Sequence, residues 1–190
     1  MNAQAVQMPV VNGVNVSELC NTMRAVHENP NLARFKFRIR NEWLDCGHSR
    51  STVSNFQGAS QEQRRASTFV LDADEPPILH GQDKGANPVE HLLHALAACV
   101  TTAMVYHAAA KGIYLEEVES TIEGDLDLRG FLGMEPRIRN GYEGIRMKFR
   151  VRADVSDSEL QELVQLGSRF SPVFDSLCHG VPITVFADRL

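Results

Sequence analysis

Four cysteines, at positions 20, 46, 99 and 178, are the residues of this sequence whose chemistry could reach beyond packing. A thiolate is a nucleophile and can be oxidised, but it needs a helix N-terminus or a nearby cation to lower the thiol pKa. Cys99 stands in AACVTTAM, about three turns into a long apolar helix, where the helix dipole offers little. Two readings of it stay open. It is either a small buried core residue, or a reactive thiol whose thiolate is stabilised by an arginine or histidine from elsewhere. Cys178 stands in SPVFDSLCHGVPI, at the edge of a turn, and reads as a surface or half-buried thiol. His179 follows it directly, yet neighbours in extended chain point opposite ways, so the two do not read as a Cys–His dyad. Cys20, on an N-terminal helix, and Cys46, in a hairpin turn, read as inert.

The spacing of these cysteines includes no CxxC, which excludes zinc ribbons and thioredoxin-type motifs. They are too few and too scattered for a secreted disulfide scaffold, so a cytoplasmic location is expected. No secretory or transit signal is apparent in MNAQAVQMPVVNGVNV. His91 and His94 share a helix face, with Glu90 beside them. No HExxH motif or third ligand accompanies them, so packing or a polar lining is expected rather than a metal. Asp72, Asp74 and Glu75 read as a solvated acidic loop. There is no phosphate-binding glycine loop, nucleophile elbow or dinucleotide fingerprint, and no cofactor is expected.

These residues must be held by a mixed set of elements. Ser17 can cap a short helix through about Glu28, behind a loose tail of residues 1–16. Ala33 to Leu44 alternates as a half-buried strand, Cys46-Gly47-His48 turns, and Ser51 to Phe56 returns as its hairpin partner. Gln57 to Arg65 reads as a loop and Thr68 to Leu71 as a short strand. Pro88 opens the long helix and Gly112 ends it. Ile113 to Leu128 and Tyr142 to Val155 are strands, the second with Ile145, Met147, Phe149 and Val151 alternating against Arg146, Lys148, Arg150 and Arg152. Ser156 with Glu159 forms a capping box for a helix to about Leu166. Ser171 to Leu177 is a further turn or helix, and Val181 to Ala187 a closing strand. The fold class is α+β with mainly antiparallel strands.

Composition narrows the function. Hydrophobic residues make up 43% and charged residues 23%, as in ordinary soluble globular proteins. The net charge is −5 and no lysine- or arginine-rich run is present, so nucleic acid is not an expected partner. Leu92 to Ala110 lacks any Asp, Glu, Lys or Arg and imitates a membrane span. It is mostly alanine and carries His94 and His107, so it reads as a soluble helix buried nearly all round. One sheet cannot cover such a helix on every side. A second lobe or a second subunit is needed, and a homodimer is expected.

The order of these elements and the helix NPVEHLLHALAACVTTAM resemble the OsmC/Ohr family of stress-response proteins. The similarity continues through KGIYLEEVESTIEGDLDLRG and SELQELVQLGSRFSPVFDSLCHGVPITV, covering roughly residues 66 to 187. It implies an OsmC-like domain over residues 33–190 behind an N-terminal tail and helix at 1–32, and an intertwined homodimer around two long central helices. It also implies a thiol-dependent peroxidase acting on small organic hydroperoxides. Cys99 occupies the position of the peroxidatic cysteine, and an external thiol or dithiol is the reductant. The family's second cysteine precedes Pro-Val; here that residue is Ser171, and Cys178 lies seven residues on. The family's thiolate is held by an arginine, for which Arg50 is the foremost candidate with Arg38 and Arg40 behind it. That arginine is held by a glutamate directly after the helix-opening proline. Val89 takes that place here and Glu90 comes one later, about 100° round the helix. The alternative is a non-catalytic protein of the same fold that binds a small apolar or thiol ligand between subunits.

Overall fold

The computed structural model describes residues 10–189. Residues 1–9, part of the expected loose tail, lie outside the described residues. The chain divides into two compact units, one built on Asn15–Leu92 and the other on Leu93–Leu190 together with Val11–Val14.

Two minimal strands, β1 (Val10–Val11) and β2 (Val14–Asn15), precede helix α1 (Val16–Glu28). The helix cap is Asn15 rather than Ser17: the Asn15 side chain accepts the Glu18 N–H at 3.1 Å. This starts the helix at Val16, whose side chain is buried. The rest of the expected tail is also ordered. Asn12, at a positive-φ turn position, donates to the Ile113 carbonyl and accepts from the Leu115 N–H, each at 2.9 Å.

The first unit carries a three-stranded antiparallel sheet ordered β3 (Arg40–Asp45), β4 (His48–Val53) and β7 (Phe69–Ala73). Its hairpin turns at Cys46-Gly47 as the sequence indicates. The strand expected from Ala33 begins only at Arg40; upstream, Lys36 makes a single bridge to Gln57 while Phe35, Phe37 and Phe56 stack. The expected loop after Phe56 holds a small hairpin, β5 (Phe56–Gly58) with β6 (Gln61–Gln63). Its two turn residues, Ala59 and Ser60, both have positive φ, the twist that suits a tight hairpin.

Between β7 and the long helix, Asp74 organises the loop. It is 1% exposed, which corrects the expectation of a solvated acid. Its carboxylate accepts the N–H groups of Glu75 at 2.8 Å, Gln82 at 3.1 Å and Lys84 at 3.2 Å. The loop closes so tightly that a Cβ on Gly81 would lie 1.7 Å from the Glu75 carbonyl oxygen, and only glycine fits there. Burial pushes the Asp74 pKa up, but hydrogen bonds from Lys84, Glu75 and Gln82, with His48 nearby, outweigh it and hold the group below the usual carboxylate range.

Helix α2 (Pro88–Ala110) runs 23 residues and is long and apolar enough to cross a membrane by length and composition. Gly112, at φ +73°, ends it as expected. Its buried residues Leu96, Val100, Met104 and Ala108 recur every fourth position. The expected burial nearly all round is thus only partly met within one chain. In the single chain one stripe is covered, and Leu92 and Tyr106 remain exposed.

That stripe meets helix α4 (Asp157–Arg169) and the long antiparallel ribbon of β8 (Leu115–Asp125) and β9 (Gly144–Ala153). Met104, Ala108 and Leu163 form the core cluster, with Ile113, Leu115, Val118, Phe149, Val151, Val164 and Leu166 packed on it. The ribbon's other face is a ladder of ion pairs: Glu117–Arg152, Glu119–Arg150 and Glu123–Arg146. A short turn of helix, α3 (Leu128–Phe131), follows β8. Ser156 and Glu159 form the expected capping box, and α4 continues past Leu166 to Arg169. Helix α5 (Pro172–His179) follows. The closing strand expected over Val181–Ala187 does not form, because no strand among the described residues pairs with it.

Two features yield predictions. A Cβ on Gly167 of α4 would lie 2.9 Å from the Val100 carbonyl oxygen and 3.0 Å from the Met104 Cβ. Gly167→Ala is expected to lower stability by about 1–3 kcal/mol in denaturant unfolding, although alanine is the better helix former. Asp74 has a folded-state pKa below its unfolded value of about 3.9. Its contribution is thus complete above pH ~3.9 and lost as pH falls through the lower folded value. The stability gap between wild type and Asp74→Asn should be full at neutral pH and shrink below pH ~4, read by denaturant melts across that range.

Candidate functional site

The face of α2 opposite its buried stripe builds a groove. Ala95, Ala98, Cys99, Thr102, Ala103 and Tyr106 follow helical spacing along it, and Phe170 and Pro172 from the α4–α5 joint form the far wall. Its volume is about 520 Å³ and its lining is mainly apolar, within the range of small-molecule sites. Cys99 is half-buried in its wall and is a free thiol. The His107 ring packs tilted against Phe170 at 4.4 Å between centroids, while the Arg169 guanidinium lies 5.4 Å from the Phe170 ring centre.

Ser171 sits between those two wall residues and is 1% exposed. Its hydroxyl accepts the Phe174 N–H at 3.1 Å, so it is the N-cap of α5. The serine at the Pro-Val step thus has a local physical role in starting that helix. Cys178 is exposed in the last turn of α5 and is absent from the groove lining. His179 is helical beside it rather than extended. Its ring pairs with Asp175 at 3.0 Å, and consecutive helical residues splay by about 100°, so no dyad forms.

The other candidates lie in the first unit. Arg50 on β4 stands directly opposite Asp72 on β7. Its Nε donates to Asp72 Oδ1 at 2.9 Å and its Nη2 to Oδ2 at 3.2 Å, a two-pronged pair. His48 Nε2 approaches the same Oδ1 at 2.9 Å. Hydrogen bonds from Arg50 and then His48 hold the Asp72 carboxyl below its ordinary range, and the Asp72 carboxylate raises Arg50 in turn. Glu90 makes a different set of bonds. Its Oε2 accepts the Asn87 N–H at 2.8 Å while Asn87 Oδ1 accepts the Glu90 N–H at 2.9 Å. This is a reciprocal cap at the start of α2.

Arg50's carboxylate partner is therefore Asp72. Sequence reasoning missed this pairing because strand register, which sets residues 22 apart face to face, leaves no local signal. The loop reading of Asp72 is corrected on the same ground. Arg38 pairs with Glu62, and Arg40 with Glu42 at 2.6 Å. His91 Nε2 meets the Asp72 carbonyl at 3.1 Å and His94 is exposed. Cys46 donates its thiol to the His80 carbonyl at 3.1 Å, and Cys20 is half-buried on α1. Among the described residues, no three His, Cys, Asp or Glu side chains gather as a metal site.

Several solved structures share this fold. The OsmC-like protein from Mycoplasma pneumoniae has a TM-score of 0.56 at 20% identity, over 75% of this chain and 87% of that one. A putative osmotic stress induced and detoxification response protein from Psychrobacter arcticus scores 0.55 at 12% identity, over 73% and 85%. An organic hydroperoxide resistance protein OsmC from Legionella pneumophila scores 0.52 at 18% identity, over 74% and 89%. At these identities the likeness is one of fold. No curated protein sequence matches the chain. The family model described as OsmC-like protein, however, matches residues 81–186, from the Gly81 turn through α5 and more than half of the sequence. On that match, and on a fold of antiparallel strands with one long helix, this chain belongs to the OsmC-like protein family.

Proposed function

We propose that this protein is a thiol-dependent peroxidase that reduces organic hydroperoxides through Cys99, working as a homodimer in the cytoplasm. The observation that carries the reading is the position of Cys99 in the wall of an apolar groove on α2 of an OsmC-like chain. The Cys99 thiolate attacks a peroxide oxygen. A sulfur–oxygen bond forms, the oxygen–oxygen bond breaks, and the alcohol leaves with a proton, giving a sulfenic acid. Arg50 is the proposed cation that favours the thiolate, and Asp72 fixes its guanidinium through Nε and Nη2. Glu90 contributes by capping the helix that carries the cysteine.

The groove walls of alanine, tyrosine, phenylalanine and proline favour an apolar peroxide over hydrogen peroxide. Burying about three methylene equivalents supplies about 2 kcal/mol, roughly 30-fold in specificity. Ser171, in place of the family's second cysteine, supports the second reading, a non-catalytic protein holding a small apolar or thiol ligand. A second copy of the chain is the proposed partner for α2, packing beside the Cys99 groove and leaving its mouth open to substrate. It is also the proposed cover for Val181, Ile183, Val185 and Phe186, all of which are exposed in the single chain. In that arrangement the C-terminal segment gains the strand partner its alternation calls for.

Steady-state turnover of cumene hydroperoxide and hydrogen peroxide with a thiol reductant tests the activity. Wild type is expected to prefer the organic peroxide by about tenfold or more, and Cys99→Ser to lose about 100-fold or more. Absence of turnover in the wild type would leave the binding reading, and undiminished turnover in Cys99→Ser would refute Cys99 as the reacting thiol. Sedimentation and circular dichroism on dilution test the assembly: mass and helix signal should fall together, whereas a well-folded monomer would refute the dimer.

A further inference from the structure

We infer, resting on the peroxidase reading above, that oxidised Cys99 is reduced by a low-molecular-weight monothiol and not by a second cysteine of the chain. Cys99 supplies the sole sulfur among the residues that line the groove. Ser171, the residue set between the two wall positions Phe170 and Pro172, offers a hydroxyl, and that hydroxyl is already bonded to the Phe174 N–H. A hydroxyl cannot complete a disulfide. Cys178 lies six residues beyond Pro172, which is about 9 Å of helix rise, and its side chain is exposed outside the lining. Disulfide formation needs the two Cα atoms within about 7 Å, and Cys178 stands outside the groove wall in which Cys99 sits.

The cycle then balances with two molecules of external thiol. The first attacks the Cys99 sulfenic sulfur; a disulfide bond to Cys99 forms, and the hydroxyl leaves as water with the thiol's proton. The second attacks the external sulfur of that mixed disulfide, releasing the small disulfide and returning Cys99 as a thiol. A groove of about 520 Å³ gives the first thiol room to enter beside the cysteine.

The full chain and its Cys178→Ser variant are each treated with one equivalent of cumene hydroperoxide. Each is then divided between dimedone and one equivalent of glutathione, used as the monothiol probe, and read by peptide mass spectrometry. Both proteins are expected to carry dimedone on Cys99 in the first arm and a glutathione adduct on Cys99 in the second. Turnover with glutathione should agree within about twofold between them. A Cys99–Cys178 disulfide predominating in wild type, within or between chains, overturns the monothiol route while leaving the peroxidase reading in place. So does a Cys99 that takes dimedone but never glutathione, or a link from Cys99 to Cys20 or Cys46. No dimedone on Cys99 in either protein overturns the peroxidase reading itself, and this route with it.

Discussion

The close approach of α4 to α2 at Gly167 is the contact on which the second unit depends. With no side chain at that position, the helix backbones come near enough for Met104 and Leu163 to share one fully buried core with Ala108. The same approach fixes where α4 ends. Three and five residues beyond Gly167, Phe170 and Pro172 stand against α2 and close the groove that holds Cys99. One missing methyl group therefore links core packing to the shape of the candidate site. Shape complementarity of this kind has little slack, because protein interiors are packed as densely as organic crystals.

Charge is arranged to serve the scaffold first. The β8–β9 ribbon turns its acids and arginines to water as cross-strand pairs and its apolar residues toward α2 and α4. Exposed pairs of this kind contribute little individually, but their alternation fixes which face is buried. In the first unit, Asp74 takes a buried position by accepting three backbone N–H groups, and Asp72 joins His48 to Arg50. These carboxylates set the loop before α2 and the direction of the arginine.

Chemically, the groove is notable for how few polar side chains it holds: a thiol, the Thr102 hydroxyl and the Tyr106 phenol among apolar walls. Such a lining offers a small molecule mainly apolar contact. Ser171, at the Pro-Val step, starts α5 as its N-cap. An N-cap needs an acceptor oxygen, which the Ser171 hydroxyl supplies to the Phe174 N–H.

Much of this was legible in the sequence because it rests on local rules. The Ser156–Glu159 capping box, the Gly112 stop, the alternation of β9 and the long apolar helix each follow from short-range periodicity or capping chemistry. The family resemblance, carried by the α2 sequence, likewise needed no coordinates. What the tertiary structure decided was register and burial. It set Arg50 opposite Asp72, sank Asp74 beneath a loop that reads as solvated, and gave Glu90 to the helix cap. Within the single chain it covered one stripe of α2 and left Val181–Ala187 without a ladder. A strand's alternation states that one face wants burial, but its hydrogen bonds belong to a partner strand. A side chain's environment likewise depends on residues distant in sequence, and no local pattern encodes which of them will arrive.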